Sequence, residues 1–369
     1  LPYVKTLASA VTQTFTETLR VEYDAATGNN LGALIEGGST NLCKGSENII
    51  AGSAFSILRT SVTTNTSIAP DGTFSAGKLI PSTEDDSHFV IVTQSTVLAP
   101  SKASISFYVK PAGHNFFQIA SGQTAIEFAT FDLQSGTISE TGSATNESEC
   151  SISPVGNGFY RVSVFIQPSA TGTTYSGSIP SGTLGWRPSF TGDGVSGVYA
   201  WGAQFEAQPF ATSYIRTEGA AVSRSPDFLS VGADNISAAN TDFTISIDLE
   251  VKDVGPSGFP GVFHVIGEST RRSAFSGSTK KLTTTVGGTN ITSDALTYPL
   301  NIKYSVTRNN EFSTAYIDNN QIGQVATTSI SGVKTSIEIG KQSSNYLNGH
   351  ISKFKTYAQA LTAQEITLL

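Results

Sequence analysis

The run Ser246-Ile247-Asp248-Leu249-Glu250 comes closest to a catalytic set, because strand alternation would put the Ser246 hydroxyl and the Asp248 and Glu250 carboxylates on one face. Two carboxylates on one face can act as general acid and base in glycoside hydrolysis. The third position carries a hydroxyl with no base in the pattern to activate it. The expectation is therefore a solvated polar strand face, with no catalytic residue. His88, His114, His264 and His350 are isolated in the sequence, and each is expected in a loop or at the surface. The chain contains no G-x-S-x-G turn and no H-E-x-x-H spacing. Two oxygen-rich runs, Glu84-Asp85-Asp86 and Thr191-Gly192-Asp193-Gly194, have the composition of calcium loops but are expected to be soluble turns. No metal and no cofactor is expected.

Binding chemistry is a better fit than catalysis. An exposed aromatic ring can stack on the apolar face of a pyranose while amides and charged groups read its hydroxyls. Trp186, in the loop-like stretch TLGWRPSF next to Arg187, is the candidate ligand-binding residue. Trp201 lies in YAWGAQFE, where a core or inter-sheet role is expected.

The elements that would position these groups are strands. In ASISFYVKP, Ile105, Phe107 and Val109 share one face and Ser104, Ser106 and Lys110 the other, with Pro111 expected to end the strand. FYRVSVFIQP repeats the device with Val162, Val164 and Ile166 inward and Pro168 as the stop, after a Gly-Asn-Gly turn. DFTISIDLEV puts Phe243, Ile245, Ile247, Leu249 and Val251 on a core face and Thr244, Ser246, Asp248, Glu250 and Lys252 on the other. Asp318, Asn319 and Asn320 suit a hairpin turn that needs positive φ. At the end, Thr362 and Glu365 form a capping-box pattern with Leu361 and Ile366 at staple positions, so a short helix should pack Ile366, Leu368 and Leu369 against the second sheet.

Composition agrees with an all-β chain. The sequence has 369 residues, 35 of them Gly, with only 14% charged, which suits strands joined by many turns and enough length for two cores. A net charge of −7, from 29 acidic and 22 basic residues without long blocks, makes nucleic acid or anionic lipid a poor partner. No run of about 18 apolar residues is present to span a bilayer, and the N-terminus lacks a signal-peptide pattern; a soluble protein without membrane insertion is expected. Cys43 and Cys150 are expected as two independent reduced thiols. There is no methionine, so Leu1 is expected to mark a cleavage or the start of a fragment.

Two stretches carry a resemblance. YAWGAQFEAQPFATSYIRTEGAAVSRSPD, from Tyr199 to Asp227, resembles a junction of tailed-bacteriophage virion proteins in which a carbohydrate-binding-module-like sandwich ends in W-G-A-Q-x-E and continues into Y-I-x-T-x-G-x-x-V-x-R. LRVEYDAATGNNLGALIEGGSTNL, from Leu19 to Leu42, resembles the R-x-x-Y-D-x-x-T-G…G-x-L-I-E-x-x-x-T-N-L lead-in of the same proteins. The part after residue 233, with YSVTR, AYIDNNQIG, IEIG, LNGHISKFKTY and ALTAQEI, is similar to laminin-G/concanavalin A-like sandwiches. In concanavalin-type retaining glucanases the corresponding strand reads E-x-D-x-E, and here Ser246 stands at the nucleophile position.

The resemblance implies two tandem antiparallel β-sandwiches of jelly-roll type. The expected domains are a lead-in or attachment segment at 1–40, a carbohydrate-binding-module-like sandwich at 41–206, an extended surface linker at 207–232, and a laminin-G/concanavalin A-like sandwich with a short C-terminal helix at 233–369. It also implies a non-enzymatic virion structural protein, foremost a tail fibre or receptor-binding appendage recognising host surface polysaccharide. Such a chain is expected to be a homotrimer contacting other virion proteins, assembled in the host cytoplasm. The alternatives are a capsid decoration or head-fibre protein and a secreted polysaccharide-active enzyme.

Overall fold

The structure, a computed structural model, describes residues 20–24, 27–49, 52, 54–93, 103–121, 125, 127–143, 145, 150–166, 175–182, 184–232, 242–252, 258–267, 271–326, 336–357 and 359–369. Its described residues are all-β apart from one short helix, Ala363–Ile366. They form two compact units, Ser39–Arg224 and Ser225–Leu369, the second also taking in Asn29–Gly38 and the stretch that ends at Asp24.

In the first unit, one antiparallel sheet has the strand order Thr137–Thr141, Phe128–Asp132, Phe116–Ser121, Tyr175–Ser178, Phe89–Val92, Phe55–Leu58. The other runs Cys150–Pro154, Tyr160–Ile166, Ala103–Ala112, Gly197–Glu206, Ala76–Pro81, Thr60–Ser67. Period-two alternation supplies the core between them: Ile105, Phe107, Val109, Val162 and Val164 from one sheet meet Phe117, Phe131, Val90 and Tyr175 from the other. The Phe107 and Phe117 rings touch edge to face at 5.4 Å. The Ile166 side chain and Pro168 lie outside the described residues.

Strand Ala103–Ala112 runs through Pro111 instead of stopping there. Its pairing with Tyr160–Ile166 ends at Val109, so Pro111 sits on a stretch open on that side, where a missing N–H breaks no ladder.

The opposite face of this sheet is not solvated. Ser104 and Ser106 are buried, because the segment expected to be a surface linker is bound down there. Tyr214 stacks on Trp201 at 4.7 Å and meets Tyr108 edge-on at 5.8 Å. Together with Phe159, Ala69 and Ala76 these rings make a small second core outside the sandwich. Trp201 is thus a core residue, though in this outer cluster and not between the sheets. Gly202 follows it at φ +62°, and a Cβ there would meet the Tyr108 ring at 2.6 Å.

Buried polar groups fix the strap's backbone. Gln204 Oε1 accepts from Ile215 N at 2.7 Å, and its Nε2 donates to Thr212 O at 3.1 Å. Glu206 accepts from Thr212 N and from the Ser39 hydroxyl. Asn41 Nδ2 donates to Ile215 O at 2.7 Å. Further along, Val222–Arg224 pairs with Ser39–Asn41, and Leu229–Gly232 is already a strand of the second unit. The 207–232 segment is therefore mostly structural strap. Nearly every backbone group in it that leaves water needs a partner, and the motif side chains supply several.

The second unit pairs a seven-stranded sheet, in the order Val21–Tyr23, Asn30–Ile35, Gly349–Tyr357, Phe243–Val251, Leu300–Arg308, Phe312–Ile317, Asn320–Ala326, with a six-stranded one, Leu229–Gly232, Ser336–Ile339, Gly261–Ile266, Arg271–Phe275, Lys281–Val286, Thr289–Ala295. The stretch expected as a lead-in supplies its first two strands; residues 1–19 lie outside the described set. Arg20, buried, donates to Asp227 Oδ1 at 2.8 Å and to Glu36 Oε2 at 2.9 Å. This ion cluster joins the hairpin to the start of the unit's main chain segment.

The core alternation of Phe243–Val251 is as expected, with Phe243, Ile245, Ile247, Leu249 and Val251 all buried. On its other face, however, Thr244 and Ser246 are buried too. Thr244 Oγ1 donates to Gln359 O and accepts from Leu361 N at 2.9 Å, because the C-terminal segment crosses that face. Thr362 caps the helix with the reciprocal Glu365 bonds, and Leu361 and Ile366 pack with Tyr316. Leu369 joins them, whereas Leu368 is 83% exposed because the four-residue helix has already ended. Asp318 and Asn319, at φ 48° and 68°, form the expected hairpin turn.

Candidate functional site

The candidate face lies on the first unit, outside the sheet that contains Phe116–Ser121. Alternation sends Phe117 and Ile119 into the core and leaves Gln118 on the other side, opposite Thr130 on one neighbouring strand and Ser178 on the other. The stretch 184–187 is anchored over these residues. Gln118 donates from Nε2 to Gly185 O at 2.8 Å and accepts at Oε1 from Arg187 N at 2.8 Å. Glu140 Oε2 accepts from Gly185 N at 2.7 Å. Arg187 is held at φ 45°, a conformation a side-chain-bearing residue enters at a cost of order 1 kcal/mol unless something fixes it.

The two side chains on this loop are locked together. Trp186 is half-buried, and its Nε1 donates to Ser121 O at 3.1 Å. The Arg187 guanidinium lies 4.9 Å from the Trp186 ring centroid and 4.3 Å from that of Phe89. Its Nε and Nη2 both donate to Ser176 Oγ, at 3.1 and 2.8 Å. Burial pulls the guanidinium down to about 10. The result is a rigid aromatic ring beside a partly desolvated cation, with Leu184 exposed next to them.

The two carboxylates of the Ser246–Glu250 run are committed to pairs. Asp248 Oδ2 is 3.1 Å from Lys353 Nζ, and Ser246 Oγ accepts from Ser305 Oγ at 2.9 Å. Glu250 Oε2 lies 2.9 Å from His350 Nδ1, and Glu22 Oε2 lies 2.5 Å from His350 Nε2. His350 is thus buried between two acids and not at the surface. Burial pulls its pKa down, but the two carboxylates outweigh that and the net shift is upward; Glu22 and Glu250 are both lowered through the same hydrogen bonds against the cost of burial. His88 is also buried, between the carbonyls of Arg59 and Phe190 at 2.6 and 2.9 Å. His114 rests edge-on against Phe190, and His264 lies half-buried in strand Gly261–Ile266.

The two oxygen-rich runs meet each other, since Asp85 and Asp86 pair with Thr191 and Phe190. Asp86 lies 3.3 Å from Arg59, and Asp193 Oδ1 accepts from Val195 N and Ser196 N. Cys43 is buried and its thiol is pushed up to about 11, whereas Cys150 is half-buried; neither is in a disulfide. A polar cleft of about 790 Å³, lined among others by Lys44, Glu47, Asn48, Asn65 and Arg216, was not foreseen. Its residues come from separated segments without any spacing to announce them. Gln118 and Glu140, which fix the Trp186 loop, were missed for the same reason.

No protein-family model matches this sequence, and no curated protein matches it. Among solved structures the chain is similar to a Trypanosoma rangeli sialidase (14% identity, 35% of this chain and 22% of that one, TM-score 0.30). It is also similar to a Bacteroides ovatus protein described as carbohydrate-binding (11% identity, 78% and 80% covered, TM-score 0.30) and to mouse laminin α1 domains LG4-5 (11% identity, 87% and 95% covered, TM-score 0.28). The alignment spans about a fifth of the sialidase. Similarities this weak carry no argument, and the all-β assignment rests on the strands themselves.

Proposed function

We propose that this chain is a non-enzymatic glycan-recognition protein of a tailed-bacteriophage virion, acting as a tail fibre or other receptor-binding appendage on host surface polysaccharide. The observation that carries the glycan reading is the Trp186–Arg187 pair, a fixed ring and cation presented on a sheet face. A locked ring loses little entropy when a pyranose stacks on it, so weak contacts count fully. The virion reading draws on the two sequence stretches around Arg20–Leu42 and Tyr199–Asp227. Homotrimeric assembly with other virion proteins would multiply single-site affinity into avidity.

The non-enzymatic reading is supported by the pairing of Asp248 with Lys353 and of Glu250 with His350, which leaves neither carboxylate poised as a free acid or nucleophile. The test is binding of purified host surface polysaccharide by the intact chain and by Trp186→Ala, which should bind at least about tenfold more weakly on loss of a stacking ring. Equal binding by the variant would remove Trp186 from the site. Electron cryo-microscopy of particles decides the location: tail-tip density supports the appendage, and density on the capsid lattice would make the chain a decoration protein. Reducing-sugar release that disappears in Asp248→Asn or Glu250→Gln would revive the enzyme.

A further inference from the structure

The charge state around Trp186 narrows the ligand class, and the argument rests on the glycan reading above. Three other arginines that are partly or fully buried have carboxylate partners of a kind Arg187 lacks. Arg20 has Asp227 and Glu36, Arg59 has Asp86, and Arg216 has Glu47 and Glu218. Arg187, by contrast, sits between two rings and one hydroxyl, with no carboxylate at ion-pair distance among the described residues. Glu140, an acid tied to the same loop, has one oxygen on the Gly185 amide.

The guanidinium is also incompletely used. Nε and Nη2 are engaged by Ser176 Oγ, whereas Nη1 makes no hydrogen bond among the described residues and is not sealed by them. A cation partly stripped of water, with an open donor and no counter-charge, favours an anion brought from outside. Guanidinium matches a carboxylate better than any other side chain does, through parallel charge-assisted bonds. The Arg187 guanidinium lies over the Trp186 ring, 4.9 Å from its centroid, which leaves the ring's other face for a hexuronate or sialate ring whose rim carboxylate would meet Arg187 at the edge of the indole.

We infer that the ligand of this face is an acidic glycan, its pyranose stacked on Trp186 and its carboxylate paired with Arg187. Neutral hydroxyls would leave the cation uncompensated, so discrimination between acidic and neutral sugars is the signature of the site.

The test is calorimetric titration of the full chain with oligogalacturonate, with oligosialic acid and with carboxyl-reduced oligogalacturonate. The two acids distinguish the source of the carboxylate. At least one acidic oligomer should bind. Its carboxyl-reduced or neutral counterpart and the Arg187→Gln variant should each bind about tenfold or more weakly, and combining the two changes should add little. Carboxyl reduction needs no variant, so the test stands even where Arg187→Gln unfolds; Arg187→Lys, which keeps the charge without the fork, should lose less. Equal binding of acidic and reduced oligomers, or an unaffected Arg187→Gln, overturns the acidic assignment and leaves the glycan reading in place. Binding of no oligomer, acidic or neutral, defeats both.

Discussion

Asn41 is where removal of one side chain should cost most for least lost volume. It is fully buried, and its amide uses its whole bonding capacity. Nδ2 donates to Ala203 O at 3.2 Å and Ile215 O at 2.7 Å, while Oδ1 accepts from Cys43 N at 3.0 Å and Phe205 N at 3.1 Å. Asn41→Ala strands two N–H donors and two carbonyls inside the protein. At a net of about 1 kcal/mol per buried hydrogen bond the loss is about 4 kcal/mol, with the donors the heavier half because the carbonyls keep a second lone pair. For a unit the size of Ser39–Arg224 that lowers the unfolding midpoint by about 10 °C.

The chain contains two tryptophans, Trp186 and Trp201, and both belong to this unit, so tryptophan fluorescence reports its unfolding alone. The neighbouring Thr40, whose hydroxyl meets Ser223 Oγ at 2.8 Å on the exposed side, is the control. Thr40→Ala should shift the midpoint by less than about 2 °C. A shift for Asn41→Ala no larger than the control's would refute the claim that this amide ties strap and strand together.

Three further outcomes follow from the same reasoning. His350, raised above its ordinary 6.5, stabilises the second unit fully below that value and loses the contribution as pH rises through its folded pKa; Glu22 and Glu250, lowered from 4.5, contribute above that value and fail as pH falls through theirs. Calorimetry should therefore show the second unit most stable between those limits, with the alkaline decline flattened in His350→Asn. Arg20→Met takes the guanidinium away from two buried carboxylates, Asp227 and Glu36, a loss of about 3–5 kcal/mol that hydrogen exchange should register in the strands Val21–Tyr23 and Asn30–Ile35. An aromatic disulfide reagent should modify Cys150 in the native protein and reach Cys43, whose thiol burial pushes up to about 11, only when the first unit unfolds.

Strand content and core faces were legible because they follow from period two: Phe107 and Val109, or Ile245 and Ile247, had only one face to share. The other faces were not. Ser104, Ser106, Thr244 and Ser246 read as solvated because small hydroxyl residues are nearly indifferent to burial, Thr244 finding Gln359 and Leu361, Ser106 finding Arg161 and Ser246 finding Ser305, and nothing local says that these faces will be covered. His350 reads as isolated for a related reason. Its partners Glu22 and Glu250 are far away in sequence, and antiparallel pairing alone brings them together.

The same distinction separates the conspicuous motifs from the candidate site. Trp201, Gly202, Gln204 and Glu206 of the W-G-A-Q-x-E strand, with Tyr214, Ile215 and Thr217 after it, are consumed by the outer core and the strap's hydrogen bonds. Their identities are dictated by burial, by a positive φ and by bond count, so any chain with this strap needs them whatever it binds. Trp186 and Arg187 sit on a loop whose backbone is held by Gln118 and Glu140, so the path of the loop does not rest on their own side-chain bonds to Ser121 O and Ser176 Oγ alone. A frame fixed by buried amides and a face fixed through main-chain contacts allow ligand choice to change without loss of the fold. The informative substitutions for function are therefore those at Trp186 and Arg187, not those in the motifs.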